Sequence, residues 1–154
     1  MGIEIERRFL LRDDSWRPPR KTVSCRQGYL MCGPPTAIRV RVMDGKANVN
    51  IKRRTTEIAR EEYEYPIPLA DAEEILERLC IGTVIEKKRH YVEYEGFTWE
   101  IDEYEGANHG LITAEVEMER EDQEVPIPPW AGEEVSSETR YLNASLAMHP
   151  YQDG

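Results

Sequence analysis

The chain has 154 residues, 32% of them charged, and a net charge of −10. The length fits one domain, and the acidic sign argues against a plain nucleic-acid binder, which is usually basic. No apolar run is long enough to predict a membrane span or a signal peptide.

The charge is unevenly spread. Residues 1–60 hold 14 of the 20 Lys and Arg but only 6 of the 30 Asp and Glu, a net of +8; the remainder carries −18. Cys25, Cys32 and Cys80 are odd in number and match no common zinc spacing, so reduced structural thiols in a cytoplasmic protein are expected.

Strand patterning dominates the chain. MGIEIERRFL places Glu4, Glu6 and Arg8 on one face. TAIRVRVM alternates Ile38, Val40 and Val42 with Arg39 and Arg41, and Asp44-Gly45 predicts a two-residue hairpin turn. ANVNIKRR follows with Asn48, Asn50 and Lys52 on one side. REEYEYPI sets Arg60, Glu62 and Glu64 against Tyr63 and Tyr65. DAEEILERLCIG reads as a helix with Asp71 as N-cap, Glu74 at capping-box spacing and Gly82 as the stop. Its apolar stripe is Ala72, Ile75, Leu76 and Leu79. VIEKKRHYVEY places Lys87 and Arg89 together. FTWEIDEYEG sets Glu100 and Asp102 against Trp99 and Ile101, and LITAEVEMER sets Glu115 and Glu117 against Val116 and Met118. PIPPW reads as a rigid extended lead-in, and ETRYLNASLAM as a terminal helix. Seven or eight mostly antiparallel strands with two helices predict a barrel or sandwich.

Pairs of like charge at i and i+2 recur: Glu4/Glu6, Arg39/Arg41, Glu62/Glu64, Lys87/Arg89, Glu100/Asp102 and Glu115/Glu117. On one strand such a pair is explained by a solvated face. Repeated on strand after strand, the pairs point to a closed barrel whose charged faces turn inward, basic on one wall and acidic on the other. The apolar faces then point outward, to be covered by the helices or by a second copy in a homodimer. A polyanion carrying hard cations suits such a tunnel. Carboxylate clusters without His or Cys favour Mg2+ or Mn2+, and Lys and Arg suit phosphate oxygens.

EIERRFL resembles the E-x-E-x-K signature of the CYTH superfamily, the triphosphate tunnel metalloenzymes. RQGYL, IRVRVMDGKANVNIK, REEYEYPI, IEKKRHYV, WEIDEYEG, GLITAEVEME and PPWAGEEVSSETRYLNASLA resemble further family blocks in the family's order. The chain most resembles the short prokaryotic inorganic triphosphatases. The resemblance implies an α+β, mainly β fold: one domain over 1–154, built as an eight-stranded antiparallel β-barrel tunnel with a few flanking helices. It also implies metal-dependent hydrolysis of a triphosphate, with inorganic tripolyphosphate first among the substrates.

By the same resemblance, Glu4, Glu6, Asp102, Glu115 and Glu117 take the metal positions, with two Mg2+ or Mn2+ expected. Arg8, Arg39, Arg41, Lys52, Arg60, Lys87 and Arg89 take the triphosphate positions. Glu4 and Glu6 are expected to act in catalysis through the metal that activates water, and Lys87 is the candidate for a direct proton role. Glu62 and Glu64 are read as supports for metal or for the basic side chains. Two departures stand out: Arg8 replaces the signature Lys, and His90, read as a packing residue, stands where the family often has Tyr. Arg26 and Tyr29 are expected at one mouth, and Arg140, Tyr141 and Asn143 at a plugged end. The rival readings are a thiamine triphosphatase or adenylyl cyclase, and a non-catalytic polyphosphate-binding module. The last has no need of the acidic wall. No nucleic-acid or membrane partner is expected.

Overall fold

The computed structural model describes residues 1–151; residues 152–154 of the expected domain lie outside the described residues. Nine strands and two helices follow in chain order. They are β1 (Gly2–Leu11), β2 (Lys21–Met31), β3 (Thr36–Met43), β4 (Lys46–Arg54), β5 (Ala59–Pro66), α1 (Leu69–Arg78), β6 (Ile81–Tyr94), β7 (Phe97–Glu105), β8 (Ile112–Met118), β9 (Ala131–Glu134) and α2 (Asn143–Met148). Every pairing is antiparallel, in the order β5-β4-β3-β2-β6-β7-β8-β1. Strand β1 then pairs back to β5 through Gly2–Glu62 and Glu4–Arg60, which closes an eight-stranded barrel. Closure removes the free sheet edges.

Strand β9 is an addition outside the ring. It pairs with the far end of β1, at Phe9–Glu134 and Leu11–Ala131. The hairpin expected at Asp44-Gly45 joins β3 to β4, and both residues have positive φ, as a type I′ turn requires.

Because the charged faces turn inward, the apolar clusters lie outside the ring or at its end. Phe9, Trp99, Ile101 and Val116 are covered by Trp16, Val125 and Trp130, so the Pro-rich lead-in is a lid over β1, β7 and β8. Trp99 is fully buried, with Trp130 edge-on at 5.4 Å and Phe9 at 5.5 Å. Helix α1 packs Ala72 and Leu76 on Val40 and Ala47. Tyr29, Ile85, Tyr104, Tyr141 and Leu146 form a third cluster that binds α2 to the barrel.

Two expectations for α1 are corrected. Its N-cap is Pro68 rather than Asp71, which lies inside the first turn; the rigid Pro66-Ile67-Pro68 run starts the helix early. Gly82 does not stop the helix, which ends at Arg78. It sits in β6 at φ +65, where a Cβ would run into the carbonyl oxygen of Ala147 in α2. The terminal helix is shorter than expected: a 3-10 turn, Thr139–Tyr141, precedes α2.

Candidate active site

The alternation that sends Trp99, Val116 and Val40 outward sends the intervening charges into a cavity of about 410 Å3. Glu4, Glu6, Arg8, Arg39, Arg41, Lys52, Arg60, Lys87, Arg89, Glu115 and Glu117 all line it. Asp102 does not: it is fully buried behind Lys87 and Arg89.

Each strand register sets one layer of contacts. Glu4 of β1 lies opposite Arg60 of β5, and Lys52 of β4 opposite Glu62. Lys52 Nζ is therefore shared between Glu4 at 3.1 Å and Glu62 at 3.2 Å, while Arg60 Nη1 donates to Glu6 at 3.1 Å. Glu6 pairs in register with Glu117, and Arg8 with Glu115. Arg8 Nη2 lies 3.2 Å from Glu115 and 3.6 Å from Glu6. On the opposite wall Arg39 donates to Asn50 Oδ1 at 2.9 Å, and Asn50 in turn donates to Glu64 at 3.1 Å. Asp102 accepts from Lys87 at 2.8 Å and forms a two-pronged pair with Arg89 at 2.9 and 3.0 Å. Arg89 also reaches Glu100 at 3.1 Å.

Crowding shifts the titrations in opposite directions. Burial, with Glu115 and Glu4 beside it, pushes the Glu6 carboxyl well above the usual carboxylate range. Burial acts the same way on Glu115, but Arg8 and a hydrogen bond from Glu6 outweigh it and hold Glu115 well below that range. Burial and the neighbouring carboxylates thus favour the neutral form of Glu6, and Arg8 favours the ionised form of Glu115. Asp102 is also disfavoured by burial, yet Arg89 and Lys87 pull its pKa down to about 2. Burial and then the charge of Arg39 lower the pKa of both Arg41 and Lys52. The cationic wall is therefore self-repelling, and the Nε–H groups of Arg8 and Arg41 have no partner among the described residues. An anion in the cavity relieves the repulsion.

Glu4, Glu6 and Glu117 each offer an oxygen, and these oxygens lie within 4.8 Å of one another. An all-oxygen set of this kind fits a hard divalent cation. The five carboxylates named from the sequence therefore separate by contact. Glu4, Glu6 and Glu117 converge, Glu115 is bound to Arg8, and Asp102 is enclosed by Lys87 and Arg89.

The model of the family described as the CYTH domain matches residues 2–151. The chain belongs to the CYTH domain family. This CYTH chain is 44% identical over 153 residues to an inorganic triphosphatase of Acetivibrio thermocellus, across 99% of this chain and 98% of that one. It is 34% identical over 151 residues to an inorganic triphosphatase of Nitrosomonas europaea, across 94% and 97% of the two chains. Among solved structures, the inorganic triphosphatase NE1496 matches with a TM-score of 0.69 at 32% identity, covering 100% of this chain and 99% of that one. The adenylyl cyclase-like HpAC1 from Hippeastrum shares the fold, with a TM-score of 0.58 at 20% identity over 78% of this chain and 80% of that one.

Several lining residues of the CYTH tunnel differ from the sequence reading. Tyr29 faces inward, but Arg26, three residues earlier on β2, faces outward and pairs with Glu73 of α1, so it lines no mouth. Arg140 is on the surface with Glu138, whereas Asn143 reaches the tunnel. His90 packs outside, its ring tilted against Trp16 and bonded to Thr22 and Glu103. Glu62 and Glu64 do orient basic side chains, Lys52 and Arg41. The sequence reading placed Glu100 and Asn50 on charged faces without a site role, and missed Arg54, which is held by the carbonyls of Thr56, Glu57 and Ser136. The Glu100/Asp102 pair signalled Glu100. The face of Asn50 was legible beside Lys52, but a neutral amide gave no sign of its role.

Proposed function

We propose that this chain is a metal-dependent triphosphatase that cleaves inorganic tripolyphosphate to pyrophosphate and phosphate within the barrel. One observation carries the reading: three converging carboxylates and a self-repelling cationic wall line one cavity. Glu4, Glu6 and Glu117 would hold a Mg2+ or Mn2+ ion. When bound, that ion supplies charge neutralisation and an acidified water. A second ion would draw on Glu115 and Asp102, whose oxygens are engaged by Arg8, Lys87 and Arg89.

The chain's own residues supply alignment and charge. Phosphoryl transfer asks for little covalent chemistry and much positioning. Arg39, Arg41, Lys52 and Arg60 would grip the phosphate oxygens. Arg8 and Arg89, stiffened by buried carboxylates, would fix the far side without losing order on binding. Lys87 is assigned the proton contact: it is 2% exposed and lines the cavity, so it meets substrate rather than bulk water. The free thiols of Cys25, Cys32 and Cys80 fit the cytoplasmic setting expected of this reading.

The test is phosphate release from tripolyphosphate, ATP and thiamine triphosphate, each with Mg2+, Mn2+ or chelator. Fast release from tripolyphosphate, abolished by chelator and much slower with ATP, is the expected result. Faster release from an organic triphosphate would transfer the assignment to that substrate. Metal-independent binding without release would replace the enzyme with a polyphosphate-binding module.

A further inference from the structure

The Lys87 ammonium carries three N–H donors and accepts nothing. One donates to Asp102 at 2.8 Å and a second to Asn143 Oδ1 at 3.1 Å. No third acceptor is in place among the described residues, and Lys87 lines the cavity. Two fixed bonds therefore set the direction of the third. Asn143 is the first residue of α2 and is 8% exposed. The same Oδ1 also accepts from the Tyr104 hydroxyl at 3.2 Å. Both lone pairs of the amide oxygen are thereby used, and the orientation of the amide is set by Lys87, because an ammonium has no acceptor for an NH2 group in that place.

The helix that brings Asn143 is seated on the strand that carries Lys87. Gly82 of β6 leaves room for the carbonyl of Ala147, and the carbonyl of Tyr141 accepts from Arg8 Nη1 at 3.1 Å. Two tunnel cations are thus held from behind by the C-terminal segment.

We propose that Asn143 is a positioning residue for Lys87: its amide oxygen, locked by Tyr104, aims the free N–H of Lys87 at the substrate. Asp102 supplies the counter-charge and one anchor for the ammonium. The neutral acceptor of Asn143 supplies a second anchor, which holds Nζ against swinging on the flexible Lys87 stem. The proposal rests on the triphosphatase reading only for its effect on rate.

Two measurements test it. In the phosphate-release assay with tripolyphosphate, Asn143→Ala is expected to lower kcat about tenfold, the loss of one hydrogen bond to a charged group, with KM changed less than about twofold. In a Lys87→Ala background the same substitution is expected to change kcat little. An equal loss in both backgrounds would mean that Asn143 only docks the helix, and would overturn the proposal. The second readout needs no substrate. The ammonium protons of Lys87, observed by 15N-resolved NMR, are expected to exchange slowly in the wild type and in Asn143→Asp, which keeps an acceptor, and fast in Asn143→Ala. An ammonium signal unchanged in Asn143→Ala would also overturn the proposal. If the wild type released no phosphate, the triphosphatase reading would fail while the NMR comparison still decided the role of Asn143.

Discussion

Replacing Asp102 with Asn tests whether this carboxylate anchors cations or binds metal. Its side chain is fully buried and takes three donor contacts from Lys87 and Arg89 at 2.8–3.0 Å. Burial opposes its ionisation, but Arg89 and Lys87 bring the pKa from 3.8 to about 2. At 1.36 kcal/mol per pKa unit this is about 2–3 kcal/mol of stability. The folded pKa is depressed, so that stability is present above pH 3.8 and is lost as pH falls through about 2. Asparagine keeps the shape but leaves two buried cations facing a neutral amide, a break that typically costs about 3–5 kcal/mol. At about 2–4 °C per kcal/mol for a chain of this size, Asp102→Asn should lower Tm by roughly 10 °C. Thermal unfolding would be followed by circular dichroism in chelator at neutral pH, then repeated toward pH 2, where the wild type should converge on the variant. A metal-free Tm within about 2 °C of wild type, with the loss confined to the metal-induced increment, would refute the anchoring role and leave Asp102 as a metal ligand alone.

The metal cluster gives two further tests. Mg2+ or Mn2+ at a hundredfold excess over Kd should raise Tm by about 5–10 °C, from about 2.7 kcal/mol of linkage. Glu117→Gln should remove most of that increment while leaving the metal-free Tm in place, since Glu117 is exposed. Glu6→Gln should raise the metal-free Tm at neutral pH while abolishing the metal increment. Burial and its carboxylate neighbours raise the Glu6 pKa, so the wild type loses stability as pH rises above the unfolded value of about 4.5 and the glutamine variant does not; parallel Tm–pH curves would refute this. Outside the tunnel, Trp99→Ala should cost about 3–5 kcal/mol in chemical denaturation, because Trp130 and Phe9 cannot collapse into the space it leaves.

Strand patterning made the barrel legible because a closed sheet with charges inside keeps strict alternation: Arg39/Arg41 and Glu115/Glu117 each announce an inward face. The same signal could not give depth. Glu100 and Asp102 share a face in sequence, yet one lines the cavity and the other is sealed behind two cations, because depth depends on which neighbours on β6 reach across. Strand β9 was invisible: four residues after a Pro-rich run carry no period, and only the stretch of β1 beyond its pairing with β5 recruits them. Gly82 looked like a helix stop because its neighbours were helical. Its cause is the approach of α2, a contact between segments far apart in the chain. Asn50 and Asn143 carry no charge, so nothing in the pattern of like charges could mark them, although each fixes a cation.

The charge count inside the barrel explains why metal and phosphate belong together there. Seven carboxylates and eight cations line the cavity, with Asp102 behind them. The tunnel without ligand is therefore close to neutral and internally paired, so it is no ready-made sink for a polyanion. Lys52 is occupied by Glu4 and Glu62, and Arg60 by Glu6. A divalent ion at Glu4, Glu6 and Glu117 would take over two of these three carboxylates and release Lys52 and Arg60 toward phosphate. The triphosphate in turn would neutralise cations whose repulsion already shows in the lowered pKa of Arg41 and Lys52. Each ligand thus removes the partner that the other must displace, so their affinities are coupled, and reciprocally so by linkage. A near-neutral, largely paired interior limits the charge repulsion that the barrel carries without ligand. Exchange of partners, rather than excess positive charge, would then make it selective for a metal-bearing polyphosphate.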